Sequence, residues 1–552
     1  MSTDISALQL ARASYQPKLP KALRQGSVKV ELGQPSHPST DQDEIKKLFP
    51  NTYGQPVAAM FEGNGDLKTA PLKVGVVLSG GQAPGGHNVI CGLFDALKSA
   101  NPENRLFGFL KGPGGVIKGK YKELTEDGIK PYRNTGGFDM IMSGRDKIES
   151  AEDLAACKKN FEDMDLDGLV IIGGDDSNTN AAMLAEYLKG QGAKTVVIGV
   201  PKTIDGDMKN DQIEASFGFD TASKVYSELI GNICRDATSA VKYWHFIRLM
   251  GRAASHVTLE CALQVQPNIT LISEEIQAKG TTLESIVDNI VDVVLKRAAQ
   301  GKNYGILIVP EGLPEFISDI KVMIDELSAI LGEQDKYIRG LPDHDERAQF
   351  LSQKLSDHSA KVYNSLPVDI QEVLLKRDSH GNVPVSQVET ERLLIDLVSD
   401  RIREMKREGK AEGVKFSPLG HFFGYEGRCA APSNFDTDYC YSLGYAAAQL
   451  VRAGLTGYTV NVQNLTKPAE EWVAGGTPVT MMLCIEQRKG KPTPVIRKAL
   501  VALDSAPFNA FAAGRESWAI NDQYIFPGPI QYFGPTEVCD ATTKTLALEK
   551  GQ

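Results

Sequence analysis

Five charged residues at the ends of two apolar runs could do chemistry together. Asp175 and Asp176 follow Gly168-Leu-Val-Ile-Ile-Gly-Gly174, and Lys202, Asp205 and Asp207 follow Thr195-Val-Val-Ile-Gly-Val-Pro201. Closely spaced carboxylates suit a hard divalent cation such as Mg²⁺, which takes few protein ligands and brings phosphate oxygens with it. A lysine and exposed backbone N–H groups beside them suit the phosphate itself. Either stretch alone reads equally well as a capped turn. Two of them in succession read as a site for phosphoryl chemistry.

The elements that must position these residues are buried strands. Both apolar runs are too short for helices and end in glycine or proline, as central parallel strands do. A helix is expected from about Ala181, capped by Ser177, Asn178 or Thr179. A third strand, Lys73-Val-Gly-Val-Val-Leu-Ser79, breaks into Gly80-Gly-Gln-Ala-Pro-Gly-Gly86 before a helix over Asn88 to Lys98. Strand, glycine turn and helix N-terminus make a phosphate cradle, although no Lys-Ser/Thr follows as a P-loop requires. Further strand-like runs begin near residues 244, 269 and 304, so the pattern is α/β: two doubly wound, Rossmann-like lobes. Ligands of such sheets bind at the carboxyl edge, where these charged turns lie.

The remaining chain frames that pattern. Residues 1–70, with a short helix near Ile5 to Ser14 and a proline-punctuated stretch from Pro35 to Pro50, read as an N-terminal extension. Residues 71–220 read as the first lobe, 221–313 and 416–465 as the second, 314–415 as a helical insertion, and 466–552 as a segment packing back on the body. Loops at Gly340 to Asp345 and Asp378 to Pro384 interrupt the insertion. In the helix after Asp207, Val225, Leu229 and Ile233 form the expected core stripe, with Asp220 as cap. His245 and His256 are expected to be structural. The 552 residues carry 60 basic and 70 acidic side chains, a net charge of −10. With no basic block, nucleic acid and anionic membranes are not expected partners. No signal peptide or membrane span is expected, and eight scattered cysteines without CxxC spacing point to reduced thiols, so the expected location is cytoplasmic.

Gly80-Gly-Gln-Ala-Pro-Gly, Gly173-Gly-Asp-Asp-Ser, Pro201-Lys-Thr-Ile-Asp-Gly-Asp, Met250-Gly-Arg, Pro310-Glu-Gly and Tyr425-Glu-Gly-Arg occur in one order. Together they resemble the phosphofructokinase family, in its long pyrophosphate-dependent branch, from about Lys73 to Ala447. The resemblance implies reversible, Mg²⁺-dependent transfer of a phosphoryl group from pyrophosphate to the 1-hydroxyl of fructose 6-phosphate. It implies that Gly80 and Gly81 hold pyrophosphate, that Asp175 and Asp207 hold Mg²⁺, and that Asp205 is the general base. Thr203, Ile204, Asp205, Met250, Gly251, Arg252, Glu311, Tyr425, Glu426, Gly427 and Arg428 would contact the sugar phosphate. Arg145 and Arg252 would balance charge on the moving group. Lys242 and Tyr243 would reach the substrate of a neighbouring subunit, which implies a homodimer with shared sites. Where ATP-using relatives have a histidine, this chain has Tyr425.

Two departures from ATP-using relatives bear on the donor. Asp176 and Lys202 both stand where those enzymes have glycine. A carboxylate about 4 Å from an α-phosphate would repel it by roughly 4 kcal/mol at an effective dielectric near 20. Lys202 would neutralise the leaving phosphate. The same motifs leave two other readings: an ATP-dependent phosphofructokinase, or a non-catalytic regulatory subunit, which would be expected to lack some of Asp175, Lys202, Asp205 and Asp207.

Overall fold

In a computed structural model, the structure describes residues 7–24, 28–376, 383, 387–488, 491–529, 536 and 540–552. The expected loop at Asp378 to Pro384 lies almost wholly outside them, as do the first residues of the helix near Ile5, whose described part is Ala7–Ala13. Contacts divide the chain into two units. One comprises Met1–Ala222, Tyr425–Ala499 and Ile530–Lys550; the other comprises Ser223–Gly424, Leu500–Pro529 and Gly551–Gln552.

The first unit begins with β1 (Val28–Pro35), β2 (Pro56–Glu62), β3 (Lys73–Ser79), β4 (Arg105–Phe109), β5 (Tyr121–Leu124), β6 (Ser143–Gly144), β7 (Gly168–Gly173) and β8 (Val196–Pro201). The second contains β9 (Trp244–Leu249), β10 (Ile269–Thr270), β11 (Gly305–Pro310) and β12 (Pro418–Phe423). The chain then returns to the first with β13 (Tyr458–Gln463), β14 (Val473–Pro478), β15 (Leu483–Arg488) and β16 (Lys491–Ile496). The ten-stranded sheet of the first unit runs β1-β2-β14-β13-β8-β7-β3-β4-β5, with β6 also on β3. Strands β13, β8, β7, β3 and β4 pair in parallel, and antiparallel strands flank them.

Strands β3, β7 and β8 are buried almost end to end, as a central parallel sheet requires. Chain order runs outward from the β3–β7 pair, to β4 on one side and β8 on the other. The turns after β3 and β7 therefore open a crevice at the point where strand order reverses. The N-terminal segment does more than wrap the body. Its strands β1 and β2 continue this sheet, and Asn51 and Thr52 donate backbone and side-chain hydrogen bonds to Glu186.

The second unit has an all-parallel sheet ordered β10-β11-β9-β12. Its core joins Trp244 and Phe246 of that sheet to Leu327, Leu351, Leu394 and Val398 of the helical segment beyond Ser318. That segment thus shares the sheet's core. The helix Phe219–Ala240 differs from expectation. Tyr226, Ile230, Cys234 and Ala237 form its fully buried stripe, one position along from Val225, Leu229 and Ile233, which are half-buried. A helix apolar on adjoining faces does not declare from periodicity which face is innermost. Asp220 lies within the first turn and is not the cap. Asp436 takes that role, accepting hydrogen bonds from the N–H groups of Gly218 and Thr221 and from the Thr221 hydroxyl.

Candidate active site

The turn after β7 is tighter than expected. The helix starts at Asp175 itself, with Gly174 as N-cap, and runs to Gly190. Asn178 does not cap it; its amide instead donates to the carbonyls of Gly173 and Gly174. Asp175 and Asp176 therefore occupy the first turn, where the helix's free N–H groups favour negative charge. Any side chain at Gly173 would strike Ser177 at 2.3 Å, so the strand can enter the helix this abruptly only through glycine.

After β8, Lys202 is bridged to Phe217 and its N–H bonds the Gly173 carbonyl, which ties the two turns together. Thr203 Oγ1 accepts from the N–H of Asp205, and Ile204 is fully buried. This holds the loop so that Lys202, Asp205 and Asp207 lie among the ends of neighbouring strands. A Cβ on Gly80 would sit 3.5 Å from Lys202 Nζ, and one on Gly81 would sit 2.8 Å from Arg428 Nη1. Gly80 has φ +82°, and its N–H bonds the carbonyl of Gly144, next to Arg145.

The result is a crowd of like charges around a glycine turn. Lys202 is buried, and its pKa is lowered to about 8 by that burial and then by the Arg428 guanidinium, with Arg145 adding to the effect and Asp205 and Asp175 opposing it. Arg428 Nε is buried with no hydrogen-bond partner among the described residues. Two neighbouring cations, one with an unpartnered Nε, at a glycine turn suit an anion. The resemblance assigned Arg428 to the sugar phosphate; here it lies against the glycine cradle.

The carboxylates show the converse. Asp207 is buried and its pKa is raised to about 6, first by burial and then by the charge of Asp205, with Asp175 adding and Lys498 opposing. Asp205 Oδ1 is buried with no hydrogen bond among the described residues. Among those residues no three acidic, histidine or cysteine groups converge as a ready metal cage. Two oxygen donors under mutual repulsion nevertheless fit a hard cation that arrives with phosphate oxygens.

Two lysines escaped the sequence reading. Lys498 Nζ lies 3.5 Å from Asp175 Oδ2 and 3.6 Å from Asp207 Oδ2. It follows the β15–β16 hairpin, nearly three hundred residues from Asp207, in the segment read from the sequence only as packing back on the body. Lys147 Nζ lies 3.6 Å from Asp176 Oδ2, in a pair whose side chains are 37% and 52% exposed. That exposure changes the donor argument. A half-exposed, paired carboxylate is screened, so the repulsion of an α-phosphate falls from roughly 4 kcal/mol to about 1 kcal/mol.

The second unit gathers other expected residues. Met250, Gly251 and Arg252 follow β9, and Glu311 follows β11 alongside it. The N–H of Glu311 bonds Leu249 O, the N–H of Met250 bonds Phe423 O, and a Cβ on Gly312 would strike Arg252 O at 1.9 Å. The two turns are thus packed backbone to backbone. Lys242 and Tyr243 stand at the opposite end of β9, with the lysine ammonium 4.7 Å from the tyrosine ring centroid. The structure does not bring them to Met250 and Arg252. Tyr425 begins a short turn of helix through Glu426, Gly427 and Arg428 in the first unit, and its side chain is 64% exposed. His245 shares a 2.9 Å hydrogen bond with His421 on the adjacent strand.

Comparison with known proteins matches these features to one family. The phosphofructokinase family signature covers residues 73–451. Across 99% of both chains, this chain is 54% identical to a pyrophosphate–fructose 6-phosphate 1-phosphotransferase of Porphyromonas gingivalis. It is 51% identical to the protein of the same name in Treponema pallidum, over 99% of this chain and 97% of that one. A pyrophosphate-dependent phosphofructokinase structure from Marinobacter aquaeolei shares the fold, with a TM-score of 0.52 at 14% identity over 83% of this chain and 94% of that one. The order of motifs, the switch-point crevice and the full-length relatives agree, and the chain belongs to the phosphofructokinase family.

Proposed function

We propose that this chain transfers a phosphoryl group from pyrophosphate to the 1-hydroxyl of fructose 6-phosphate, giving fructose 1,6-bisphosphate and phosphate, reversibly and with Mg²⁺. The observation that carries this reading is the pair of cations at Gly80 and Gly81, buried Lys202 and Arg428 with its unpartnered Nε, beside Asp205, whose Oδ1 has no hydrogen bond among the described residues. Phosphoryl transfer needs alignment and compensation of spread negative charge more than it needs covalent chemistry. The backbone N–H of Gly81, with Lys202, would bind and orient the diphosphate and receive charge on the departing phosphate, while the Gly80 N–H, committed to Gly144 O, would shape the turn rather than donate. Asp205 would take the proton from the sugar hydroxyl as its oxygen bonds to phosphorus and the bridging P–O bond breaks. Asp175 and Asp207 would hold Mg²⁺, which when bound screens the phosphate oxygens.

Met250, Gly251, Arg252 and Glu311 would position the sugar phosphate, with Arg145 and Arg252 balancing charge on the moving group. We read the enzyme as cytoplasmic and homodimeric, with Lys242 and Tyr243 serving a neighbour's substrate. No described helix is long and apolar enough to cross a membrane. The test is turnover by the purified chain alone with fructose 6-phosphate, Mg²⁺ and either pyrophosphate or ATP. Pyrophosphate turnover is expected. Use of ATP alone, or activity only after adding a second kind of subunit, would replace this reading with the kinase or the regulatory-subunit reading. For shared sites, mixed oligomers of inactive Lys242→Ala and inactive Asp205→Ser chains should regain partial activity; verified mixed oligomers that stay inactive would assign each site to one chain.

A further inference from the structure

Lys498 is delivered to the carboxylates by a segment built to hold it. The β15–β16 hairpin ends at Ile496, and the next residues are pinned on both sides of the lysine. The N–H of Arg497 bonds Met482 O at 3.2 Å, and the N–H of Ala499 bonds Asp207 O at 2.7 Å. The second bond ties the lysine's own backbone to the loop it serves. From there the ammonium stands at near-equal distances from Asp175 and Asp207, 3.5 and 3.6 Å. These exceed a direct charged hydrogen bond, so the nitrogen bridges two oxygens without closing on either. Its side chain is 33% exposed while that of Asp207 is 8% exposed, so the lysine has room to leave and the aspartate does not.

Resting on the pyrophosphate reading, we propose that Lys498 is the counter-cation of the Asp175–Asp207 pair, occupying it in the empty enzyme, yielding it to the divalent metal and passing its charge to the incoming pyrophosphate. Without a cation there, two aspartates and the neighbouring Asp205 would repel one another at a crowded loop. With both lysine and metal on the same two oxygens, positive charges would repel instead. The nearest use for the displaced ammonium is the phosphate oxygens that accompany the metal. Lys498 then acts twice: it keeps the loop in order when empty and adds attraction when full.

The test separates metal binding from turnover. Free Mn²⁺ is counted by electron paramagnetic resonance with phosphate-free wild type, Lys498→Met, Lys498→Arg and a control, Lys194→Met, whose lysine pairs with Asp165 and Asp167. Removing the competing cation should tighten Mn²⁺ binding by roughly two- to five-fold in Lys498→Met, the span of a partly exposed ion pair. Lys498→Arg and the control should stay near wild type. In saturating Mn²⁺, Lys498→Met should bind methylenediphosphonate more weakly by a similar factor. Mn²⁺ affinity that is unchanged or reduced in Lys498→Met, or equally raised in Lys194→Met, would overturn the proposal. If Lys498→Met fails to fold, Lys498→Gln is read by the same criteria. Wild type that cannot use pyrophosphate while the Mn²⁺ shift persists would overturn the functional reading and leave the counter-cation standing.

Discussion

The two units carry their expected site residues in opposite ways. At the edge of β3, β7 and β8, charged side chains crowd together with incomplete partners: Lys202 against Arg428, Asp207 against Asp205 and Asp175. At the ends of β9 and β11, the turns are held by main-chain bonds and a close backbone approach at Gly312. The first arrangement is costly when empty and relieved by a polyanion with a metal. The second is shaped in advance by its own backbone. One suits a reacting group whose charge moves, the other a substrate that must stay still.

Breaking the charged side should cost most. Asp205→Asn should lower kcat by roughly 10²–10⁴ with little change in fructose 6-phosphate binding, the usual span for a general base. Steady-state kinetics decide it: a steep rise in KM with kcat intact would make Asp205 a binding residue. Breaking the preformed side should act differently. Gly312→Ala forces a methyl into the Arg252 carbonyl, displacing the Met250–Arg252 turn. It should cost about 10–10² in kcat/KM for the sugar phosphate, chiefly through KM, with Mn²⁺ binding unaltered. An unchanged KM would show that the turn does not position the sugar.

The smallest effect concerns the donor. Asp176 is half exposed beside Lys147, so Asp176→Gly should improve ATP use by no more than about ten-fold. A gain of a thousand-fold would mean that Asp176 excludes the nucleotide unscreened. Little or no gain would place rejection of ATP elsewhere in the pocket.

The strands of both sheets differ in how plainly the sequence announces them. Strands β3, β7, β8 and β11 are almost unbroken apolar runs closed by glycine, proline or a charged turn, and their chemistry sits in the closing residues, so strand and site are legible together. Strand β10 shrinks to Ile269–Thr270. Strand β1 at the sheet edge and its neighbour β2 have mostly exposed or half-exposed residues and carry little periodic signal. The helix at Asp175 begins earlier than its capping residues suggested, because Asn178 bonds the preceding carbonyls instead. Lys498 was illegible for another reason. Its role comes from a hairpin that returns to Asp207 from the far end of the chain, and no local spacing encodes that meeting.

Lys202, buried beside Arg428 and only partly offset by Asp205 and Asp175, is poised for the anion of a diphosphate. Its pKa of about 8, below the usual lysine value, sets the sign. The cost of burying its charge is present below about pH 8 and fades as pH rises toward the unfolded lysine value, whereas a bound anion restores the proton. Calorimetry of methylenediphosphonate binding with Mg²⁺ at about pH 8.5, in buffers of different ionisation enthalpy, reads this directly. Wild type should take up protons on binding, an uptake lost together with at least ten-fold of affinity in Lys202→Met. Equal affinity and equal proton uptake in the two proteins would contradict it.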